Sequence, residues 1–187
     1  MVRVRRIQGK GADSVVKLRP VVPDHILAKL RRLPTFGIEV DAMPSGFVCS
    51  ASFKGVTDPD QAKLVTFGQG PVRKVFNKQQ RAFYKAHAPE GLELSDLSLL
   101  GPIFVVKVPF TPQELAHKLV AELWLYPDGS RILELSTKCA PPELFEILTN
   151  VRGYLIERGI ERHGEQQTKT KTALEYFTKN IKATGKD

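Results

Sequence analysis

The sequence is poor in the residues and runs that identify several common protein classes. It has two cysteines in 187 residues, Cys49 and Cys139, and their separation matches neither a zinc-binding motif nor a disulfide framework. It contains no apolar run of about 18 residues and no hydrophobic segment typical of a signal peptide. We therefore expect a soluble, cytoplasmic protein with two packed thiols and no membrane segment.

Repeats and nucleotide-binding motifs are also missing. The glycine-rich string Gly68-Gln69-Gly70 lacks the Gly-Lys-Ser/Thr ending of a phosphate loop, so it predicts no nucleotide site. The apolar content of 42% is typical of a folded protein. At this length we expect residues 1–187 to form a single domain with one core.

Positive charge is concentrated near the amino terminus. The net charge is +8, and Met1–Arg32 holds nine Lys or Arg residues against two acids. Such a segment favours an anionic partner, either a phosphate-rich small molecule or nucleic acid. Solubility alone is the alternative explanation for this charge.

A first hairpin is predicted from two alternating runs, Val2–Ile7 and Val15–Arg19, joined by a turn over Gln8–Ser14. Four cations share its polar face, with no acid between them: Arg3, Arg5, Lys17 and Arg19. Like charges facing each other destabilise a ladder, so this face predicts a multivalent anion as ligand. The alternative is an exposed basic hairpin that prevents edge-to-edge aggregation.

A second hairpin is predicted over Leu119–Lys138. A three-residue loop, Asp128-Gly129-Ser130, pairs Leu123 with Leu135 and Leu125 with Leu133, which gives one leucine face. The opposite face carries the chemically active side chains Glu122, Trp124, Glu134, Ser136 and Lys138.

The remaining elements are predicted from periodicity. Strands are expected over Phe47–Lys54, Val72–Phe76 and Ile103–Phe110, and helices over Pro23–Leu33, Lys78–His87, Pro141–Arg158 and Gln166–Ile181. Lys107 interrupts an apolar strand, where it either extends past an edge to solvent or projects into a polar interior; the interior is favoured narrowly. Lys169 and Lys171 are expected in a solvated first turn, or at a tunnel mouth.

These elements predict an α+β fold with a mainly antiparallel β-barrel, a polar bore and flanking helices. An open, half-solvated sheet is the competing architecture. In the barrel, the cations would bind phosphate oxygens. Glu122 and Glu134 on the same surface would repel that phosphate unless a divalent cation lay between them, so the mixture predicts Mg²⁺ or Mn²⁺.

This arrangement resembles the triphosphate tunnel metalloenzyme superfamily, also called the CYTH domain. The string VRVRRIQGKGADSVVKLRP is similar to its Arg-x-Arg strand and the Lys-bearing strand that follows. ELWLYPDGSRILELSTK is similar to its late acidic strands, with Glu134 in the place of a metal-binding glutamate. LFEILTNVRGYLIERGI, followed by TKTKTALEYF, is similar to its closing helices.

The resemblance implies a metal-dependent phosphohydrolase that acts on tripolyphosphate, thiamine triphosphate or a nucleoside triphosphate; cyclase chemistry is less favoured. Phosphate contacts would come from Arg3, Arg5, Lys17, Arg19 and Lys107, with Glu122 and Glu134 as metal ligands and Lys138 as an assisting catalytic group. The alternative is a non-catalytic module that binds polyphosphate or, less favoured, RNA. A homodimer stays open.

One departure from the family pattern bears on activity. The family's Glu-x-Glu-x-Lys strand near the amino terminus is absent from this sequence. Either the chain begins downstream of that strand, or its metal site is weaker than the family's.

Overall fold

A computed structural model describes residues 1–43, 46–160 and 169–184, with side chains up to residue 179. The chain divides into two compact units, Met1–Gly101 and Pro102–Asp187. The expectation of a single domain stays a prediction.

The first unit is built on a four-stranded antiparallel sheet. Its strands are β1 (Val2–Ile7), β2 (Gly11–Leu18), β3 (Phe36–Met43) and β4 (Gly46–Thr57), in the order β1-β2-β4-β3. Three helices accompany it: α1 (Ala28–Arg31), α2 (Pro59–Thr66) and α3 (Lys78–His87). Short 3₁₀ turns lie at Pro23–His25, Val72–Val75 and Leu94–Asp96.

Local sequence explains where α2 and α3 begin. The Asp58 side chain accepts bonds from the backbone amides of Asp60 and Gln61 before α2, and Asn77 forms a capping box with Gln80 before α3. Helix and sheet then share one apolar core: Val16, Ile26, Phe36, Ala51, Phe53, Val65, Val75, Phe76, Phe83 and Leu94.

Gln80 fixes α3 against the sheet through a buried polar contact. Its carboxamide accepts a bond from the Ser14 hydroxyl at 3.0 Å. It donates to the backbone carbonyls of Ser14 at 3.0 Å and Phe53 at 3.2 Å. The apolar face of the sheet is therefore the one covered by helices, and the opposite face carries the charged side chains.

The second unit contains a three-stranded antiparallel sheet. Its strands are β5 (Phe104–Phe110), β6 (Leu119–Leu125) and β7 (Arg131–Thr137), in that order. The helices are α4 (Leu144–Glu157), preceded by a 3₁₀ turn at Pro141–Glu143, and α5 (Lys169–Thr184). No helix in the described ranges is long and apolar enough to cross a membrane.

The α+β class and the antiparallel pairing agree with expectation, but the barrel prediction is wrong. The described strands pair only within the two sheets, so no closed barrel forms. The reason is that alternation of polar and apolar residues predicts a sheet with one polar and one apolar face. It does not predict whether the two edge strands pair, which is what closes a barrel.

Several element predictions also need correction. Phe36–Met43 is a strand and Pro59–Thr66 is a helix, and the sequence prediction included neither. The predicted strand Val72–Phe76 is a 3₁₀ turn. The predicted helix Pro23–Leu33 is a 3₁₀ turn followed by the single-turn α1. Part of the predicted helix Gln166–Ile181, residues 166–168, lies outside the described residues.

Candidate functional site

The four-stranded sheet gathers the predicted amino-terminal cations on one face. Directly opposed residues of an antiparallel ladder share a face, and Arg3 is opposite Val15 while Arg5 is opposite Asp13. Lys17, opposite Ser52 of β4, follows at spacing two. Arg19 comes directly after β2. We call Arg3, Arg5, Lys17 and Arg19 the cationic face.

The expectation that this face lacks acids is wrong. Asp13 pairs with Arg5, because β2 begins at Gly11 and brings Asp13 into the ladder. Asp41 of β3 pairs with Arg19 and lies 3.9 Å from the Lys17 ammonium. The sequence prediction missed both acids, because Asp13 lay in a predicted turn and Asp41 in a strand that was not recognised.

The centre of the cationic face holds a hydroxyl with unused hydrogen-bonding capacity. The Ser52 side chain, on a residue that is 3% exposed, has no hydrogen-bond partner among the described residues. It lies across the ladder from Lys17. An oxyanion placed there would gain a hydroxyl donor beside ammonium and guanidinium groups.

The β6–β7 hairpin positions the second group of predicted site residues, and its register differs from the predicted one. The loop has three residues, but it consists of Pro127, Asp128 and Gly129. The Tyr126 amide therefore bonds the Ser130 carbonyl at 2.9 Å. In such a loop the last residue takes positive φ, and Gly129 has a φ of 82°.

The shift preserves the faces but changes the partners. Leu123 is opposite Leu133, where Leu135 was predicted, and Leu125 is opposite Arg131, where Leu133 was predicted. Glu122 is now directly opposite Glu134, and on its other side it is opposite Lys107 of β5. We call Glu122 and Glu134 the acid pair.

A lysine from α5 lies between the two carboxylates of the acid pair. The Lys169 ammonium contacts Oε2 of Glu122 and lies 2.5 Å from Oε1 of Glu134. Lys107 donates to Oε1 of Glu122 at 2.8 Å, and the indole N–H of Trp124 lies 3.4 Å from Oε2. Lys169 was expected in a solvated turn or at a tunnel mouth, yet its side chain is 24% exposed.

These contacts keep Glu122 ionised. The side chain is 12% exposed, and burial alone would raise its pKa. Hydrogen bonds from Lys107 and Lys169, together with their charges, outweigh burial and lower the pKa to about 2. Glu122 is therefore a mostly buried carboxylate on the central strand of its sheet, and two lysines compensate its charge.

The structure places the predicted site residues in two groups, one on each sheet. Lys107, Glu122 and Glu134 come together on the polar face of the three-stranded sheet. Lys107 lies at that face, but its side chain is 53% exposed, so it is not in a polar interior. Lys138 follows the last residue of β7 and is exposed.

Asp13, Asp41 and Lys169 contact predicted site residues but were not among them. A signal for Asp41 was present in the sequence: FGIEVDAM alternates apolar and acidic residues between Pro34 and Gly46 and so predicts a strand. No local pattern indicates that Lys169 pairs with acids 35 and 47 positions away.

Comparison of this chain with models of protein families, with curated proteins and with solved structures finds no match in any of the three.

Proposed function

We propose that the protein is a metal-dependent phosphohydrolase that acts on a triphosphate-containing substrate, with tripolyphosphate, thiamine triphosphate and nucleoside triphosphates as the candidates. The observation that supports it best is the acid pair. Two glutamates that face each other across a ladder and share a single cation form a site for positive charge, and cations beside them suit phosphate oxygens.

The donor set of the acid pair fits Mg²⁺ or Mn²⁺. No group of three or more His, Cys, Asp or Glu side chains in the described part of the chain could hold a metal. Mg²⁺ in phosphoryl-transfer sites is commonly held by one or two carboxylates, with substrate phosphates and water as the other ligands. Glu122 and Glu134 would supply the carboxylates. When bound, the metal would activate water and neutralise charge on the leaving phosphate.

The lysines beside the acid pair would contact the substrate. Lys107 presents its ammonium from the neighbouring strand at the same face, and an ammonium is a compact positive charge suited to phosphate. Lys138, at the end of β7, is the assisting group in this proposal. The residue is exposed at the surface.

The cationic face enters the proposal as a separate set of phosphate contacts. Its support is the family resemblance together with the unpartnered Ser52 hydroxyl beside Lys17. The pairing of Arg5 with Asp13 and of Arg19 with Asp41 lowers the net charge of this face. It still leaves guanidinium donors for a polyanion, because each guanidinium has five N–H groups.

The test is phosphate release from tripolyphosphate, thiamine triphosphate and ATP with Mg²⁺ or Mn²⁺, beside a thermal-shift titration with the same ligands. Turnover should require the metal and fall at least about a hundredfold in Glu134→Ala, because a metal supplies several kcal/mol of transition-state stabilisation. Glu146→Ala, an exposed acid on α4, is the matched control and should retain turnover. Metal-independent turnover, or equal loss in both variants, would contradict the proposal.

A non-catalytic polyphosphate-binding module is the second candidate. It is favoured by the contact of Lys169 with both glutamates, which satisfies the acid pair without a metal. Stabilisation by tripolyphosphate without turnover would select it. RNA fits less well, since the described strands place no aromatic side chain on the cationic face for base stacking.

A further inference from the structure

Lys169 occupies the position between Glu122 and Glu134 where a shared cation would bind. Its ammonium contacts Oε2 of Glu122 and lies 2.5 Å from Oε1 of Glu134. The ammonium also lies 5.4 Å from the centre of the Trp124 ring. Lys169 is the first residue of α5, so its ammonium reaches the sheet from the amino-terminal end of that helix.

We propose that Lys169 is an internal competitor of the divalent cation, and that it must leave the acid pair before the metal binds. This inference rests on the proposed function. Both oxygens of Glu122 are already engaged, Oε1 by Lys107 at 2.8 Å and Oε2 by Lys169 and Trp124. A metal would need the same lone pairs that the Lys169 ammonium uses.

The competition has a structural basis in the ladder. Two glutamates directly opposite each other destabilise an antiparallel pair of strands unless their charge is compensated. Lys169 supplies that compensation and so allows the sheet to form without metal. Its stem is long and flexible, so the ammonium can move away while α5 stays packed through the contact of Tyr176 with Tyr126, whose ring centres are 5.1 Å apart.

Comparison with Lys107 distinguishes competition for the metal position from a simple effect of charge. Its ammonium also bonds Glu122 but lies on the side of Glu122 away from Glu134, because β5 and β7 flank β6 on opposite sides. Removal of either lysine makes the site more negative by the same unit charge. Only removal of Lys169 vacates the position between the carboxylates.

The test is Mn²⁺ titration of the full chain, followed by calorimetry and by the fluorescence of Trp124, the single tryptophan. Lys169→Met should bind Mn²⁺ at least about tenfold more tightly than wild type, since the displaced charge-assisted bonds no longer oppose binding. Lys107→Met removes the same unit charge but leaves Lys169 between the carboxylates, so its gain in affinity should be clearly smaller than that of Lys169→Met. Equal affinity in wild type and Lys169→Met, or an equal gain in Lys107→Met, would overturn the inference.

Lys169→Arg keeps the proposal testable if the methionine variant does not fold. A guanidinium can bond two carboxylates through its fork of donors, so Mn²⁺ should bind more weakly than to wild type; equal or tighter binding would contradict competition. Absence of Mn²⁺ binding in every folded variant would overturn the metal site of the proposed function itself. That result differs from metal binding that is insensitive to Lys169.

Discussion

Glu122 combines two opposing effects on one carboxylate. Burial raises its pKa, whereas Lys107 and Lys169 lower it from the ordinary value of 4.5 to about 2. The unfolded chain therefore binds a proton at Glu122 more readily than the folded chain does. By linkage, the stabilisation from this group is present above about pH 4.5 and is lost as the pH falls towards about 2.

This linkage predicts how Glu122→Gln behaves in acid. Near neutral pH the variant should be less stable than wild type by about 2 kcal/mol, because charge-assisted hydrogen bonds are replaced by weaker ones. The difference should shrink as the pH is lowered from about 4.5 towards about 2, since wild-type Glu122 then becomes neutral. The measurement is the free energy of unfolding by urea at a series of pH values.

Glu146→Gln is the control for that series, because Glu146 is exposed on α4. Glu146 lies in the first turn of α4, so the variant's difference from wild type should stay within about 1 kcal/mol throughout. A Glu122→Gln difference that is the same at about pH 6 and about pH 3 would show that the two lysines do not hold Glu122 ionised in the folded protein.

For the β6–β7 hairpin, the sequence pattern predicted the strands and their faces but not the pairing register. Alternation of apolar and polar residues predicted both strands and placed Glu122 and Glu134 on one face, as observed. The pairing was shifted, because the pattern does not say which loop residue takes positive φ. The shift is what makes the two glutamates direct partners.

Prediction from alternation failed for two acids that lie near turn residues, Asp13 and Asp41. Asp13 was assigned to a turn because glycines precede it, yet β2 begins at Gly11. Asp41 was assigned to no element, although its segment alternates. Since pairing partners come from distant strands, the ion pairs of these acids with Arg5 and Arg19 could not be predicted from local sequence.

Gly129 gives an element-scale prediction. Its φ is 82°, and a Cβ there would meet no atom within 4 Å, so a side chain would cost only backbone strain. Gly129→Ala should destabilise the protein by about 1–2 kcal/mol, and Gly129→Asn by less, because Asn tolerates this conformation better. Thermal or urea unfolding measures both.

Gly153 supplies the matched control. It lies inside α4, a Cβ there also meets nothing within 4 Å, and its φ is not positive. Gly153→Ala should therefore stabilise the protein by up to about 1 kcal/mol through helix propensity. If Gly129→Ala left stability unchanged or raised it, as Gly153→Ala should, the hairpin loop would not depend on the positive φ of Gly129.

For the molecule as a whole, the strand and helix types were more predictable than their closure into a barrel. A sheet with one apolar and one charged face satisfies the same alternation whether it is closed or covered by helices on one side. In the first unit, helices cover one side of the sheet, and Gln80 fixes α3 there. Closure depends on pairing between edge strands, which alternation does not encode.

The division into two units predicts that residues 1–101 fold alone. Every member of the main core cluster, from Val16 to Leu94, lies within Met1–Gly101, and this length is typical of an independent domain. A fragment ending at Gly101 should therefore unfold cooperatively and show slow amide exchange in β2 and β4. Those strands are the central pair of its sheet.

Two phenylalanines on β4 make that prediction specific. Phe53 is 1% exposed and its ring packs against Phe36 and Phe83, so Phe53→Ala should cost the fragment about 3–5 kcal/mol. Phe47 is exposed on the same strand, and Phe47→Ala should stay within about 0.5 kcal/mol. A fragment without a cooperative transition would contradict an independent core. Phe47 and Phe53 lie on the same face of β4 but near opposite ends of the strand, so equal losses from both substitutions would contradict the placement of that core at the Phe53 end.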